Sequence, residues 1–299
     1  MQSTELRAVI DMVPAGFASP GADYREVRAT MAPFHNHPVS DNTEVSITPL
    51  GGVDCGYYRG KDHPTTATRV LHLHGGALVS CPLAVYHFYG ELICQALQRP
   101  VLVPDYRLAP EHPYPAAIDD CLAAYRGLLD SGTAAKDIVV LGESCGGGLA
   151  ICALLRARAE QLPMPAAFVS LTGWFDLSAA NPPTTAEPFL TPDWVRNRGR
   201  EFTAGAVPLD DPAVSPCYAD TTGLPPLYLQ IGQYDTMAPG ALELARRATL
   251  SGVEVRMDAW PGMIQGWHGL LNHGVPEAAA AWHDIRRYVD EMLAPQPCQ

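Results

Sequence analysis

The feature that most constrains the fold is an alternation of short apolar segments with longer amphipathic ones, which begins near residue 68. The short segments have the length of buried strands, and the longer ones run past about ten residues and end at glycine or proline, as helices do. The expected strands are Arg69–Leu73, Pro100–Pro104, Asp137–Leu141, Ala166–Thr172, Pro226–Gly232 and Glu254–Trp260. The expected helices are Leu83–Leu97, Pro115–Leu129, Gly146–Gln161, Ala238–Leu250 and Pro276–Leu293. This order predicts an α/β protein with a parallel sheet and crossover helices.

Two alternating segments precede this pattern and are separated by a turn that contains two glycines. Thr43–Pro49 and Asp54–Arg59 flank the sequence Leu-Gly-Gly-Val. A short glycine turn between two such segments is typical of an antiparallel hairpin. The hairpin would lead the sheet and raise the number of strands to about eight.

Two other segments do not fit the alternation. Residues 1–40 are one, and residues 178–222, rich in Pro, Thr, Ala and Asp, are the other, with a short predicted helix at Pro192–Ala204. Long connections within a compact domain commonly serve function as lids or caps. We therefore expect a single domain, residues 1–299, in which 1–40 and 178–222 cap the carboxyl ends of the strands.

The strongest motif is a serine between two glycines, at the junction of a predicted strand and a predicted helix. It reads Gly142-Glu143-Ser144-Cys145-Gly146. A nucleophile on a sharp strand-to-helix turn needs flanking glycines, because side chains there would collide with the neighbouring backbone. The N-terminus of the following helix also favours developing negative charge. The motif predicts that Ser144 is a nucleophile.

A second motif follows the strand that ends at Leu73 and reads HGGA. Loops of this kind direct backbone N–H groups at an oxyanion, and glycine lets the backbone approach the reacting carbonyl. We expect an oxyanion hole formed by the backbone amides of Gly75, Gly76, Ala77 and Cys145. His74 precedes the glycine pair and is expected to shape the loop rather than act as a base.

A third block, residues 105–117, has the sequence DYRLAPEHPYPAA. Together with HGGA, GESCG and LPPLYLQIGQYD at 224–235, it resembles the hormone-sensitive-lipase-like branch of the α/β-hydrolases, a group of bacterial esterases and lipases. The resemblance runs from about Thr68 to the C-terminus, with the motifs in the family's order. It implies an eight-stranded, mostly parallel sheet with helices on both faces and a helical cap. It also implies hydrolysis of short acyl esters without a cofactor or metal.

The expected chain order of a nucleophile, an acid and a histidine base places the acid after the next-to-last strand. Asp235 stands there, at the end of the sequence IGQYD. A carboxylate at that position orients an imidazole and stabilises its positive charge. Asp235 also matches the acid of the family, and we expect it to be the acid here.

The base position departs from the family pattern. After the last strand the family typically has Gly-Met-x-His-Gly-aromatic, whereas this chain has Gln265 in place of that histidine. Glutamine cannot take a proton from serine at neutral pH. The leading expectation is that His268, three residues further on, swings in as the base of a catalytic set with Ser144 and Asp235. This set would hydrolyse small to medium apolar esters or lactones through an acyl-enzyme.

Two alternatives to His268 as the base stay open. The protein has lost ester hydrolysis and uses its pocket for binding, or for a reaction such as a cyclisation, an isomerisation or an elimination. Otherwise the sequence is a deliberate His→Gln variant in which catalysis is disabled. Under every interpretation the expected pocket residues are Leu78, Tyr86, Trp174, Trp194, Gln265 and Trp267.

The composition argues against several kinds of partner. Lys and Arg number 20 against 32 Asp and Glu, and the net charge of −12 repels nucleic acid and anionic membrane surfaces. No apolar segment approaches the roughly 20 residues of a membrane span, and the first residues lack the pattern of a secretory signal. The eight cysteines form no CxxC pair, so we expect reduced thiols, no metal and a cytoplasmic location. The apolar run Ala278–Trp282 permits a homodimer.

Overall fold

A computed structural model describes residues 2–13, 19, 21–35, 38–183 and 189–294 of the chain. Its strands are β1 (Thr43–Leu50), β2 (Val53–Gly60), β3 (Arg69–Leu73), β4 (Val101–Pro104), β5 (Ile138–Glu143), β6 (Ala167–Leu171), β7 (Leu227–Gly232) and β8 (Val255–Trp260). Its helices are α1 (Thr4–Met12), α2 (Tyr24–His35), α3 (Leu83–Leu97), α4 (Ala116–Asp130), α5 (Cys145–Ala159), α6 (Pro192–Thr203), α7 (Ala238–Leu250) and α8 (Pro276–Met292). Short 3-10 helices lie at Ala135–Asp137, Pro216–Tyr218 and Trp267–His273.

The eight strands form one sheet in the order β1-β2-β4-β3-β5-β6-β7-β8. The β1–β2 and β2–β4 pairs are antiparallel, and the pairs from β4–β3 to β7–β8 are parallel. This confirms the expected eight-stranded, mostly parallel sheet with a leading hairpin. Because β5 lies between β3 and β6, the turns that follow these three strands meet at one edge of the sheet. That edge carries the predicted nucleophile and the HGGA loop.

Helices cover both faces of the sheet, as expected. Helices α4, α5 and α7 pack with one set of strand side chains, and α3 and α8 pack with the opposite set. Strand β5 shows the alternation directly: Ile138 and Val140 belong to the first core, and Val139 and Leu141 to the second. All four side chains are buried, which explains why the strand reads as a continuous apolar run.

The two predicted cap segments contain three helices, α1, α2 and α6. The helix α6 was predicted, and its observed bounds end one residue earlier. Helices α1 and α2 were not predicted individually, since they are short and since α2 contains Pro33, a residue that normally ends a helix. Residues 1, 14–18, 20, 36–37 and 184–188 of the predicted cap lie outside the described residues.

Helix α1 packs on the turn that contains Gln265. Leu6 is completely buried in a cluster with Ile264 and Trp267, and the Gln2 side chain donates to the Gly262 carbonyl at 2.7 Å. Helix α2 contacts a different part of the site edge, because the Arg28 guanidinium donates to the Val79 carbonyl at 2.6 Å. The N-terminal helices therefore hold two of the loops at the carboxyl edge of the sheet.

The apolar run that suggested a homodimer faces the interior instead of solvent. Ala278, Ala281 and Trp282 are buried in the core, and only Ala279 and Ala280 of the run are exposed. Helix α8 uses these residues to pack on the rest of the molecule, so the run supplies no apolar surface for a second copy. The oligomeric state stays a prediction without this support.

Two adjacent glycines in the β1–β2 turn provide a test of the packing between this hairpin and α4. A Cβ atom on Gly51 would lie 2.1 Å from the Ala123 carbonyl oxygen, whereas one on Gly52 would meet nothing within 4 Å. Both glycines have positive φ, so alanine costs about 1 kcal/mol of backbone strain at either position. We expect Gly51→Ala to lower the free energy of unfolding by roughly 3 kcal/mol or more, because overpacking adds to the strain. Gly52→Ala should cost about 1 kcal/mol in the same urea titrations; equal losses would contradict the hairpin packing.

Candidate active site

The predicted nucleophile lies in a strained turn between β5 and α5. Ser144 has φ 51° and ψ −123°, outside the regions that L-residues prefer, and its side chain is buried. Its amide donates to the Leu171 carbonyl at 3.0 Å, and its carbonyl accepts from the Trp174 amide at 2.8 Å. Bonds from the end of β6 on both sides of the serine therefore hold the strained backbone in place.

The glycines on either side of the serine are required by close backbone contacts. A Cβ on Gly146 would lie 2.0 Å from the Leu73 carbonyl oxygen, and one on Gly142 would lie 2.6 Å from the Gly147 Cα. Both distances are shorter than a side chain can tolerate. The start of α5 thus rests directly on the end of β3, which is where the HGGA loop begins.

The HGGA loop turns back over the nucleophile through a run of positive φ angles. Gly76, Ala77 and Leu78 have φ values of 120°, 58° and 69°. The Ser80 amide closes the turn by donating to the Gly76 carbonyl at 2.9 Å. The Leu78 amide donates to the Cys145 sulfur at 3.2 Å, which ties the loop to the residue after Ser144. This contact brings the loop to the nucleophile turn.

His74 fixes the shape of this loop. Its ring stacks on Tyr106 with centroids 4.1 Å apart, and its Nδ1 lies 2.7 Å from the Gly75 carbonyl oxygen. The Tyr106 hydroxyl donates to the His74 carbonyl at 2.7 Å. Complete burial lowers the pKa of His74 to about 4, so the imidazole is neutral at pH 7. Its contacts are those of a structural histidine, as the sequence suggested.

Glu143, which sequence reasoning did not single out, joins the loop to the nucleophile turn from the opposite side. Its Oε2 accepts from the Tyr86 hydroxyl at 2.7 Å, and that hydroxyl also accepts from the Gly75 amide at 3.4 Å. Burial raises the pKa of Glu143, and the hydrogen bonds from Tyr86 and Gly75 oppose the shift. A Cβ on Gly75 would lie 1.9 Å from Glu143 Oε2, so this glycine makes room for the carboxylate. Its place directly before Ser144 was the only signal in the sequence.

Asp235 lies in the turn after β7, fully buried. Its Oδ1 accepts from the Met237 amide at 2.8 Å. Its Oδ2 is buried and has no hydrogen-bond partner among the described residues. Burial raises the pKa of this carboxyl to about 7, and the Met237 amide opposes the rise. Asp235 thus differs from an acid paired with an imidazolium, whose pKa would be low.

Met237 lies between the acid and the nucleophile. The hydroxyl of Ser144 approaches its sulfur at 4.0 Å, a weak contact, while its amide holds Asp235. One residue therefore touches both members of the predicted catalytic set. No imidazole among the described residues hydrogen-bonds to either of them.

The turn that carries Gln265 rests on the ends of β6 and β7. The Tyr234 amide donates to the Met263 carbonyl at 2.9 Å, and the Gly266 amide donates to the Thr172 hydroxyl at 3.1 Å. A Cβ on Gly266 would lie 3.9 Å from Glu143 Oε1. Gln265 is half-buried in this turn, between the Asp235 loop and the end of β5. An amide side chain therefore stands in the turn from which the family supplies its histidine.

His268 contacts neither Ser144 nor Asp235 in this structure, contrary to the geometry that the leading sequence expectation requires. Its Nε2 lies 2.7 Å from the Gln230 side-chain oxygen, and its carbonyl accepts from the Trp282 indole at 2.9 Å. Gln230 in turn donates to the Tyr228 hydroxyl, on the face of the sheet that α8 covers. Burial lowers the pKa of His268 to about 3, so its ring is neutral. It is a core residue held under β7.

Two of the predicted pocket residues, Trp267 and Tyr86, are packed in the interior instead of lining a pocket. Trp267 is completely buried, with its ring centroid 3.9 Å from that of His268, in a cluster with Leu6 of α1. Tyr86 is buried beneath the HGGA loop, where it donates a hydrogen bond to Glu143. Neither residue lines the cavity beside Cys145 or the one beside Met237.

The first cavity lies beside Cys145, and Leu78 and Trp174 of the predicted pocket line it. Its lining is completed by Ile118, Cys145, Gly148, Leu149, Cys152, Leu177, Phe202 and Val214. Apart from the glycine, the two cysteine thiols and the indole, every group is aliphatic or a phenyl ring. The lining is thus of the apolar kind that suits an acyl chain.

The second cavity lies beside Met237 and shares Trp174 with the first. Its other lining residues are Asp176, Ala179, Asn181, Val195, Thr236, Pro239 and Gly240. Trp194 lines neither cavity, although Val195 and Phe202 on the same helix do.

Among the described residues, no group of three or more His, Cys, Asp or Glu side chains lies close enough together to hold a metal ion. Within the same described ranges no helix is long and apolar enough to cross a membrane.

Comparison with known proteins agrees with this geometry. Residues 70–269 match the alpha/beta hydrolase fold family. An acetyl-hydrolase of Streptomyces hygroscopicus is 34% identical over 203 residues, which are 67% of this chain and 68% of the relative. An esterase of Acinetobacter venetianus is 29% identical over 279 residues, 88% of this chain and 90% of the relative. A crystal structure described as an esterase from the bacterial hormone-sensitive lipase family aligns with a TM-score of 0.89 and 30% identity, over 98% of this chain and all of that one.

The chain therefore belongs to the alpha/beta hydrolase family, in its hormone-sensitive-lipase-like bacterial esterase branch. It is a carboxylesterase-like hydrolase. The family resemblance read from the sequence motifs is confirmed.

The raised pKa of Asp235 predicts a specific pH dependence of stability. Between pH 4 and 7 the folded protein keeps a proton on this carboxyl that the unfolded chain has lost, so the stabilisation present at pH 4 is lost as the pH rises. Asp235→Asn cannot lose that proton. We expect the variant to gain stability relative to the parent, by on the order of 3 kcal/mol, between pH 4 and 8 in urea titrations. If the difference in the free energy of unfolding between Asp235→Asn and the parent did not change with pH, the raised pKa of Asp235 would be contradicted.

Proposed function

We propose that this protein hydrolyses small to medium apolar carboxylic esters or lactones through a covalent intermediate on Ser144. The observation that carries the proposal is the strained turn of Ser144, which is held against the HGGA loop by the contacts of Gly146, Cys145 and Glu143. A nucleophile turn joined to an amide-bearing loop is the arrangement that acyl transfer requires. The carboxylesterase-like relatives support the same reaction class.

In this mechanism Ser144 Oγ attacks the ester carbonyl to give a tetrahedral intermediate. The backbone amides of Gly76, Ala77 and Cys145 stabilise its negative oxygen, and Gly75 gives the loop the room to approach. The alcohol leaves, and water then attacks the acyl-serine and releases the acid. These assignments rest on the position of the loop over the turn. Each donor in such a hole typically contributes about 10²–10³ in rate.

Because of Gln265, we expect this protein to hydrolyse esters more slowly than an enzyme with a complete Ser-His-Asp triad. An amide cannot accept the Ser144 proton, so the serine lacks the direct imidazole contact that general-base catalysis uses. We propose that the chain as written is a slow hydrolase whose nucleophile and oxyanion hole are intact. The non-hydrolytic alternative depends on Gln265 alone, and the relatives do not favour it.

The apolar cavity beside Cys145 supports the proposed substrate class. Its aliphatic and aromatic lining would hold the acyl chain, and Trp174 would separate that chain from the alcohol group on the Met237 side. The described parts of residues 1–40 and 178–222 are proposed to cap this space. A cytoplasmic location, a homodimer and the absence of nucleic-acid and membrane partners stay predictions of the sequence.

Restoring an imidazole tests the proposal. We expect the parent to hydrolyse p-nitrophenyl acetate and butyrate slowly and Ser144→Ala to lose that activity. Gln265→His should raise kcat by about 10-fold to 10²-fold, because direct proton transfer from Ser144 becomes available. Initial rates at saturating substrate measure both effects. Ser144→Ala with the parent's rate would contradict the serine mechanism, and so would absence of turnover in both the parent and Gln265→His.

The size of the apolar cavity should set the acyl-chain preference. Phe202→Ala removes one wall beside Cys145, and we expect the ratio of kcat/KM for hexanoate to that for acetate to rise about tenfold. Leu242→Ala is a matched control, since Leu242 is 51% exposed on α7 and lines neither cavity. Chain-length profiles with p-nitrophenyl esters measure the ratio. An unchanged ratio in Phe202→Ala would place the acyl chain elsewhere.

A further inference from the structure

Because Gln265 stands in place of an imidazole, Asp235 has no part in the steps described so far for Ser144 and the backbone amides. Asp235 is completely buried, and Met237 joins it to the nucleophile. The Met237 amide holds Asp235 Oδ1 at 2.8 Å, and the Met237 sulfur lies 4.0 Å from Ser144 Oγ. The carboxylate and the hydroxyl therefore flank the same residue.

The second oxygen of this carboxylate is available for proton transfer. Oδ2 is buried, and the described residues give it no hydrogen-bond partner. Leaving such an oxygen unpaired costs free energy, so its persistence in a folded protein points to a role at the site. With an imidazole in the turn of Gln265, this oxygen would bind the ring N–H. The glutamine leaves it free to bind a proton directly.

The other titratable groups around the serine are already committed. His268 is bound to Gln230, and His74 is bound to the Gly75 carbonyl and stacked on Tyr106. Glu143 accepts from Tyr86 and supports the oxyanion loop. None of these three can leave its contacts without disrupting the core or the loop. His74 Nε2 and His268 Nδ1 are also buried without a hydrogen-bond partner among the described residues. Asp235 differs from these two because it is bound by Met237, whose sulfur approaches Ser144 Oγ.

We propose that Asp235 is the general base of this protein and takes the proton of Ser144 through a single water molecule. The role rests on the proposed function, because it requires Ser144 to be the nucleophile. It differs from the role of the acid in a complete triad, where the carboxylate only orients and stabilises an imidazole.

The proton balance of the step is closed without another reagent. As the bond from Ser144 Oγ to the carbonyl carbon forms, the hydroxyl proton passes to the water and a water proton passes to Asp235 Oδ2. The carbon–oxygen bond to the alcohol then breaks, and the proton returns through the water to the leaving alkoxide. In deacylation the attacking water gives its proton to Asp235, which returns it to Ser144 Oγ. The sum is ester plus water to acid plus alcohol.

The ionisation of Asp235 suits this role. Burial brings its pKa to about 7, near the operating pH at which a general base is most effective. The titratable groups on the neighbouring elements are Tyr234 on the same loop, Asp176 after β6, Glu143 at the end of β5 and His268 after β8. None of them contributes to the shift, which comes from burial and is opposed by the Met237 amide.

The decisive variant is Asp235→Asn in the parent chain, which keeps the shape of the side chain and removes its base. A carboxylate that merely orients an imidazole has nothing to orient beside Gln265, so a purely orienting role predicts no change. We expect kcat/KM for p-nitrophenyl butyrate to fall about 10²-fold. Asp235→Glu should retain part of the activity. A rate within twofold of the parent in Asp235→Asn would overturn the proposal.

The pH profile supplies a readout that a structural role would not move. The parent's kcat/KM should rise through an apparent pKa near 7 and then level off. In Asp235→Asn that step should be absent, and its persistence would overturn the proposal. Thermal unfolding of each variant shows that the fold is intact. If the parent shows no Ser144-dependent turnover while Gln265→His does, the role of Asp235 fails and the serine mechanism stands.

Discussion

The backbone of Ser144 depends on one close contact, between the start of α5 and the end of β3. Gly146 approaches the Leu73 carbonyl so closely that a Cβ would lie 2.0 Å from the oxygen. This contact makes the nucleophile turn and the oxyanion loop parts of one packed unit. Cys145 and Glu143 then hold the loop from either side of the serine, through the Leu78 amide and the Tyr86 hydroxyl. Ser144 keeps its strained backbone conformation because the packing of the residues on either side of it leaves no room for a relaxed one.

The structure brings the Ser144 turn and the HGGA loop together, but no imidazole among the described residues hydrogen-bonds to Ser144. A carboxylate buried in the turn after β7 is costly unless a partner shares its charge. Here the turn that faces Asp235 carries Gln265, whose amide brings no charge. Burial keeps the proton on this carboxyl to a higher pH, and its Oδ2 has no hydrogen-bond partner among the described residues. With Gln265 in place of a histidine, Asp235 thus acts as a base instead of orienting an imidazole.

The sequence predicted the fold and the strand-to-helix turn of Ser144 well, because both depend on local patterns. Apolar runs determined the strands of the sheet, and the glycines around Ser144 identified the turn. The sequence placed the His268 ring near Ser144, which is wrong, because the spacing from Gln265 does not show to which side the ring points. The 3-10 helix that begins at Trp267 turns its ring under β7 to Gln230, and contacts with α8 hold it there. Tyr86 and Trp267 were misassigned for the same reason, and Glu143 was missed because its contacts are all with distant residues.

The central claim is that Ser144 is a reactive nucleophile even though no imidazole contacts it. The most direct measurement is intact-mass spectrometry of the parent and of Ser144→Ala after incubation with a serine-directed organophosphate. We expect a single adduct on the parent, located at Ser144 by peptide mapping, and none on Ser144→Ala. A parent that stays unlabelled, or is labelled equally after Ser144→Ala, would contradict the account.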